Sequence, residues 1–425
     1  MRLNEFGARE AAARIAKGEL SSEDLVRACL ARIAEREPSV HAFAHVATEA
    51  ALAAARDADT ALLLGDGPFG PLHGVPVAIK DIIETADMPT QYNSRLYRGF
   101  RPAQDAACVS ILRSAGAVLI GKTETIEFAA HGRNPVTLNP HDLKRTPGGS
   151  SSGSAAAVSD MMVPLSLGTQ TGGSVIRPAA FCGVFGMKPT WGTVNGEGAK
   201  LFSLSLDTIG WYARAIDDIA LLAELYEVSS EQHPVPASLN LAWCATPYWD
   251  RAVPEMQTAF HATLERLHAA GASLTELRMD EAFSTVNDLK ERVMRAEGRV
   301  AFLHLHHRSP DKLSSGIRKR MGRTDDRLLR QALDAAAMLR IAFDRMAEPF
   351  DAVLTPAVTG VAPEGLAYAG DPIFNGMWTL LHVPCLSLPV MSGEQGLPIG
   401  LQLVGPRFSD ARVIAAARRI MQLLG

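Results

Sequence analysis

Two glycine-serine loops lie close together in the chain: Pro147-Gly-Gly-Ser150-Ser-Ser-Gly-Ser154 and, past a short apolar stretch, Gly168-Thr-Gln-Thr-Gly-Gly-Ser174-Val-Ile-Arg177. Glycine carries no Cβ, so main chain can crowd a reacting atom and turn its N–H groups inward. Acyl transfer needs such a place: a nucleophile, a base for its proton, and donors for the oxyanion that forms on the carbonyl. Ser174 is the candidate nucleophile. The backbone N–H groups of Thr171, Gly172, Gly173 and Ser174 are the candidate oxyanion donors, because the two glycines leave them unshielded. Taken alone, Gly-Gly-Ser is more often a plain turn, and the second loop is what raises the functional reading.

The base is less plain, since none of the 12 histidines stands out. His304, His306 and His307 cluster in a helical stretch without a cysteine or carboxylate companion, which fits a solvated face better than a metal site. His131 and His382 read as structural. Lys80 ends an apolar strand, and a lysine desolvated there is pushed toward the neutral amine a base must be. Lys122 ends a similar strand, and residue physics does not separate the two.

The elements around these residues alternate. Ser21 and Asp24 make a capping-box-like start for a helix with Leu25, Cys29 and Ile33 at helical spacing, and an alanine-rich helix runs over 47–63. Val75, Val77 and Ile79 alternate as a strand would, 107–115 is helical, and Ala117-Val-Leu-Ile120 is a short strand running into Gly121-Lys122. Residues 181–214 read as strands and tight loops, and Pro234-Val-Pro-Ala-Ser238 as the strongest internal boundary, followed by a strand over 239–244. Residues 254–271 and 280–347 are mostly helical, with a charged break near 318–327. Strand patterns return at 350–356, 385–390 and 399–404. Strand and helix in alternation predict an α/β fold. It is read as one domain over 1–425, with 1–64 as a helical lead-in and 254–347 as a helical insertion covering part of the site.

Composition removes several alternatives. A 425-residue chain can bury a large core, and a formal net charge of -4 supplies no field for gripping nucleic acid. Gly65-Asp-Gly-Pro-Phe-Gly70 matches a dinucleotide-loop spacing but holds a proline and opens no helix, and Gly148 to Gly153 leads into Ser154 where a phosphate-binding loop needs lysine. The 5 cysteines are odd in number and form no Cys-x-x-Cys pair, which fits a reducing cytoplasm. No uncharged apolar run reaches membrane-spanning length. The expected partner is a small-molecule amide, with no nucleic acid, membrane, metal or organic cofactor. A homodimer is open.

The same segments resemble the amidase signature family, hydrolases that cut amides with a Ser-Ser-Lys set. Gly74-Val-Pro-Val-Ala-Ile-Lys80-Asp81 is similar to the family segment that holds its catalytic lysine. Ser150 falls on the bridging serine and Ser174, 24 positions on, falls on the nucleophile. The likeness continues through Arg177-Pro178, Cys182-Gly183, Lys188-Pro189-Thr190 and Ser205-Leu206-Asp207 to Gly396–Gln402. The resemblance implies a central mixed β-sheet covered by helices on both faces. It also implies a cis peptide before Ser150 and transfer of the Ser174 proton through Ser150 to Lys80.

Two departures bear on substrate. Arg177 stands one residue later than in the common wording of the motif, and Gln170 stands where aspartate is common. Both resemble the branch that includes malonamidase, in which the matching arginine holds a substrate carboxylate. Arg177 either takes that role, for which its planar fork is suited, or pairs internally with Asp207. Asn93 replaces a family glycine but tolerates the same left-handed turn. Three rival readings stand beside this one: a glutamine amidotransferase component that works in a complex, a non-catalytic binding protein on the same core, and a cysteine hydrolase using Cys182. The first shares the core, the second is opposed by the intact Lys80, Ser150 and Ser174, and the third is weakest because Cys182 sits in an apolar run.

Overall fold

A computed structural model of the chain describes residues 2–130, 132–229 and 233–425. Its strands are β1 (Phe43–Val46), β2 (Pro76–Lys80), β3 (Val118–Thr123), β4 (Leu165–Gln170), β5 (Phe185–Lys188), β6 (Thr208–Ala213), β7 (Asn240–Trp243), β8 (Ser273–Glu276), β9 (Ala352–Pro356), β10 (Cys385–Ser392) and β11 (Pro398–Val404). They form a single sheet in the order β1-β3-β2-β4-β6-β5-β10-β11-β9-β7-β8. The sheet is mixed: β3, β2 and β4 run parallel, as do β9, β7 and β8, and the strands between these groups pair antiparallel.

Helices lie on both faces, and β6 shows why. Successive strand side chains point to opposite sides. The Trp211 indole donates to Ile219 O in the helix Ile216–Leu225, while the next residue, Tyr212, sends its hydroxyl to Ser174 O beside the helix Ile176–Cys182. This second helix sits close to the sheet because Gly186 and Gly400 lie beneath it. A Cβ on Gly186 would meet Ala179 at 2.5 Å, and one on Gly400 would meet Ala180 at 2.6 Å.

The candidate residues are placed by the parallel trio. β2 is buried along its whole length, and Val77, Ala78 and Ile79 pair with Leu165, Ser166 and Leu167 of β4. Parallel strands in register bring their C-terminal ends to the same sheet edge, where α/β folds open their clefts. Lys80 at the end of β2 therefore comes level with the end of β4 and the loop that follows it.

Two expectations need correcting. The lead-in over 1–64 is not wholly helical: between the helices Ser22–Val40 and Thr48–Leu64, β1 pairs antiparallel with β3 at the sheet edge. The segment 254–347 likewise holds a strand, β8, which pairs in parallel with β7. Both are four-residue edge strands, and β8 is mostly exposed, so neither carries the apolar alternation that marks a buried strand. The boundary near 234–238 leaves the sheet continuous, as a one-domain reading expects, because β7 just beyond it pairs with β9.

Candidate active site

Lys80 is fully buried, and its Nζ donates to Ser150 Oγ and to Thr169 Oγ1, each at 2.8 Å. Burial holds its pKa well below the ordinary lysine value, opposed only in part by the charge of Asp207. Lys122 is also buried but turns elsewhere, to Ile83 O at 2.7 Å and Thr90 Oγ1 at 2.6 Å, with Asp81 at 3.9 Å. Strand register gives different partners to the two lysines whose local patterns are alike. The peptide between Gly149 and Ser150 is cis. Asn93 adopts the left-handed conformation at φ 49° and donates to Thr125 O at 2.7 Å.

The loop after β4 is held from several sides. Gln170 Oε1 accepts from Val175 N at 2.9 Å and Ile176 N at 3.1 Å, so the side chain caps the helix Ile176–Cys182. The N–H groups of Gly172, Gly173 and Ser174 are left without a protein acceptor among the described residues. Thr379 Oγ1 donates to Gly172 O at 2.8 Å, and Thr171 Oγ1 donates to Asp207 Oδ1. A Cβ at Gly173 would run into Asn375 Oδ1, whose own amide is tied to Ala357 O at 2.8 Å. Gly173→Ala is therefore expected to push the loop off its course and lower kcat by ~100-fold or more, the scale of one lost oxyanion donor. Steady-state kinetics beside a melting curve checks this: an active variant would mean that the loop shape is not needed.

Ser150, Thr171, Gly172, Gly173, Ser174 and Arg177 all line one cavity of about 400 Å³. No hydrogen bond joins Ser150 to Ser174 in this structure; the two hydroxyls share the cavity. Lys290, Glu291 and Met294, from the helix Val286–Arg308, line it as well, so residues of the 254–347 segment do reach the site. Arg177 is 6 % exposed and donates from Nη2 to Gly149 O at 2.6 Å, while its Nε and Nη1 are buried without a partner. Burial lowers its pKa to about 10. The internal pairing with Asp207 does not occur: that carboxylate takes Thr171 Oγ1, Phe202 N at 2.5 Å and Ser203 N at 3.0 Å, and burial raises its pKa to about 6.

Residue types alone missed Thr169 and Ser151. Ser151 Oγ donates to Thr169 O at 3.1 Å and accepts from Thr169 N at 3.2 Å, so the three serines of the run divide their partners: Ser150 meets Lys80, Ser151 meets Thr169, and Ser152 donates to Gly148 O at 2.7 Å. A hydroxyl one residue before Gln170 was the available signal. Among the described residues no histidine lines the cavity. His382 stacks on Trp191, accepts from Arg340 and lies 2.7 Å from Ser205 O, and burial lowers its pKa to about 3. His131 lies outside the described residues. Cys182 is buried in its helix, its thiol donates to Pro147 O at 3.5 Å, and burial raises its pKa. No helix among the described residues is long and apolar enough to cross a membrane.

Comparison with known proteins gives the family. The amidase family matches residues 24–414. The glutamyl-tRNA(Gln) amidotransferase A subunit of Oleidesulfovibrio alaskensis is 33% identical, with 98% of this chain and 96% of that one covered. Among solved structures, an amidase superposes with a TM-score of 0.89 at 29% identity over 98% of this chain and 99% of that one. The peptide amidase of Stenotrophomonas maltophilia does so with a TM-score of 0.85 at 27% identity, over 98% and 96%. With nearly the whole chain matched and a helix-flanked mixed sheet holding the signature loops, the chain belongs to the amidase family, enzymes that hydrolyse the carbon–nitrogen bond of amides.

Proposed function

We propose that this enzyme hydrolyses a small amide through an acyl-enzyme on Ser174, with Lys80 as base and Ser150 as the relay between them. The observation that carries the reading is the buried Lys80 amine 2.8 Å from Ser150, at the wall of the cavity that Ser174 also lines. In the first half-reaction the Ser174 oxygen attacks the carbonyl carbon, its proton passes through Ser150 to Lys80, and the N–H groups of the 171–174 loop receive the oxyanion. The C–N bond then breaks, and the leaving nitrogen takes the proton back by the same route. Water repeats the sequence on the ester, releasing the acid. Ser150 has to turn toward Ser174 for each transfer. Adjustments of that size are usual, because catalytic hydrogen bonds often tighten only when substrate is bound.

The preferred substrate class is a small amide that carries a carboxylate, as in malonamate. Arg177 supports this: two of its nitrogens are buried and unpartnered at the cavity wall, and an unpaired buried cation is costly until an anion arrives. Ammonia release from paired amides, with and without a terminal carboxylate, tests it. Wild type is expected to prefer the carboxylate member. Arg177→Gln is expected to raise KM for that member by roughly 10- to 100-fold, as fits a charged hydrogen bond worth about 1.5–3 kcal/mol, and to leave the neutral member nearly unchanged. Equal turnover of both members by wild type would remove the carboxylate from the reading.

A second reading has its own support. Relatives matched over almost their whole length, among them one from Anaeromyxobacter dehalogenans at 34% identity, are glutamyl-tRNA(Gln) amidotransferase A subunits. On that reading the amide is glutamine and the chain works within a complex. Glutamine hydrolysis that appears only when partner proteins are added would favour it; efficient turnover of simple amides by the isolated chain favours the first.

A further inference from the structure

Two serines adjacent in sequence reach the same lysine by different routes. Ser150 contacts Lys80 Nζ directly at 2.8 Å. Ser151 grips the backbone of Thr169 at both N–H and C=O, and the Thr169 hydroxyl meets the same Nζ at 2.8 Å, its carbonyl lying 3.5 Å away. Ser150, Lys80, Thr169 and Ser151 thus close a ring at the junction of β2, β4 and the serine loop. Thr169 also lines a second cavity of about 420 Å³, together with Asp207, Thr171 and Lys200.

We propose that Thr169 is a positioning residue whose hydroxyl and carbonyl hold the two N–H bonds of a neutral Lys80, leaving the nitrogen lone pair directed at Ser150. The inference rests on the Ser-Ser-Lys reading above. A neutral primary amine has two N–H donors and one acceptor site, and Lys80 has three oxygen neighbours. The Thr169 carbonyl can only accept, so it takes one N–H. The Thr169 hydroxyl oxygen, 2.8 Å from Nζ, can take the second with its own proton turned away from the lysine. The position that remains faces Ser150 Oγ: the contact in which the Lys80 ammonium donates to Ser150 Oγ reverses in the neutral amine, and Ser150 donates its proton to the lone pair. Without the Thr169 hydroxyl, the second N–H has only Ser150 to turn to, and the lone pair is no longer held in the productive direction. Asp207 is the charged group acting on Lys80, and Glu197 and Lys200 are the other charged groups around the second cavity.

The test compares Thr169→Val, which keeps the shape and removes the hydroxyl, with Thr169→Ser, which restores it, across a pH series on the amide that wild type turns over. Thr169→Val is expected to lower kcat by roughly 30-fold or more, with KM within about threefold of wild type. The acidic limb of its pH profile should move to lower pH, since an acceptor that stabilised the ammonium is gone. Thr169→Ser should recover to within about fivefold of wild type. An active Thr169→Val, a loss that Thr169→Ser does not rescue, or a raised KM with an unmoved acidic limb would each overturn the proposal, the last two pointing to a merely structural threonine. Lys80→Ala in the same assay keeps the two readings apart. If it is inactive while Thr169→Val is fully active, only the positioning role fails; if it is fully active, the Ser-Ser-Lys reading fails with it.

Discussion

Ser174→Ala is expected to lose amide turnover by at least about a thousandfold, leaving only what the oxyanion donors and binding supply without a nucleophile. The size follows from the chemistry: the acyl-enzyme cannot form, and water would have to attack the amide in one step. The protein should fold unchanged, because the Ser174 hydroxyl makes no hydrogen bond among the described residues and its backbone contacts, such as Tyr212 Oη to Ser174 O at 3.1 Å, do not involve the side chain. An organophosphonate probe gives an independent readout. Intact-mass measurement should show one adduct on wild type and none on Ser174→Ala. Retention of more than about a hundredth of wild-type activity, or labelling that persists in the variant, would place the nucleophile elsewhere.

Lys80→Ala carries the second large effect, a loss of about a hundredfold to ten-thousandfold, the range of a missing general base. Its pH dependence is the sharper part. Burial lowers the pKa of Lys80, so the neutral amine is the form above that lowered pKa and the ammonium the form below it. Wild-type kcat/KM should therefore fall as the pH drops through the lysine pKa and level off above it. In Lys80→Ala that limb should vanish, and the residual rate should climb with hydroxide concentration. An acidic limb that survives in Lys80→Ala would assign it to another group, Asp207 with its pKa near 6 being the first to examine by Asp207→Asn.

The parts legible in the sequence were those with a local cause. Alternating Val77 and Ile79 marked β2, the hydroxyl of Ser21 did cap its helix by accepting from Asp24 N at 3.0 Å, and Gly173 of the 171–174 loop marked a place where backbone is crowded. β1 and β8 were missed because an edge strand is specified by its pairing partner and needs no apolar alternation of its own. Thr169 and Ser151 were missed because a threonine in a strand and a serine among serines look ordinary until their neighbours are known. The malonamidase-like wording around Gln170 and Arg177 did not select a branch: matched relatives include amidotransferase A subunits, and Gln170 serves as a helix cap.

Sequence by itself determined the amidase family, the α/β class, and the candidates Lys80, Ser150 and Ser174, since each rests on residue identity and order along the chain. Only the tertiary structure showed which partners Lys80 and Lys122 meet, and decided between an Arg177 paired with Asp207 and one with free nitrogens at the cavity wall. The reason is that Lys80 at the end of β2 and Lys122 one residue before the end of β3 lie in buried strands with similar local patterns. What they touch depends on which strands lie beside them, and β4 lies beside β2, bringing Thr169 and the serine loop to Lys80, whereas β3 directs Lys122 toward Ile83, Thr90 and Asp81. Register across parallel strands is a long-range property, set by loops and helices far away in the chain, and no pattern within either segment records it.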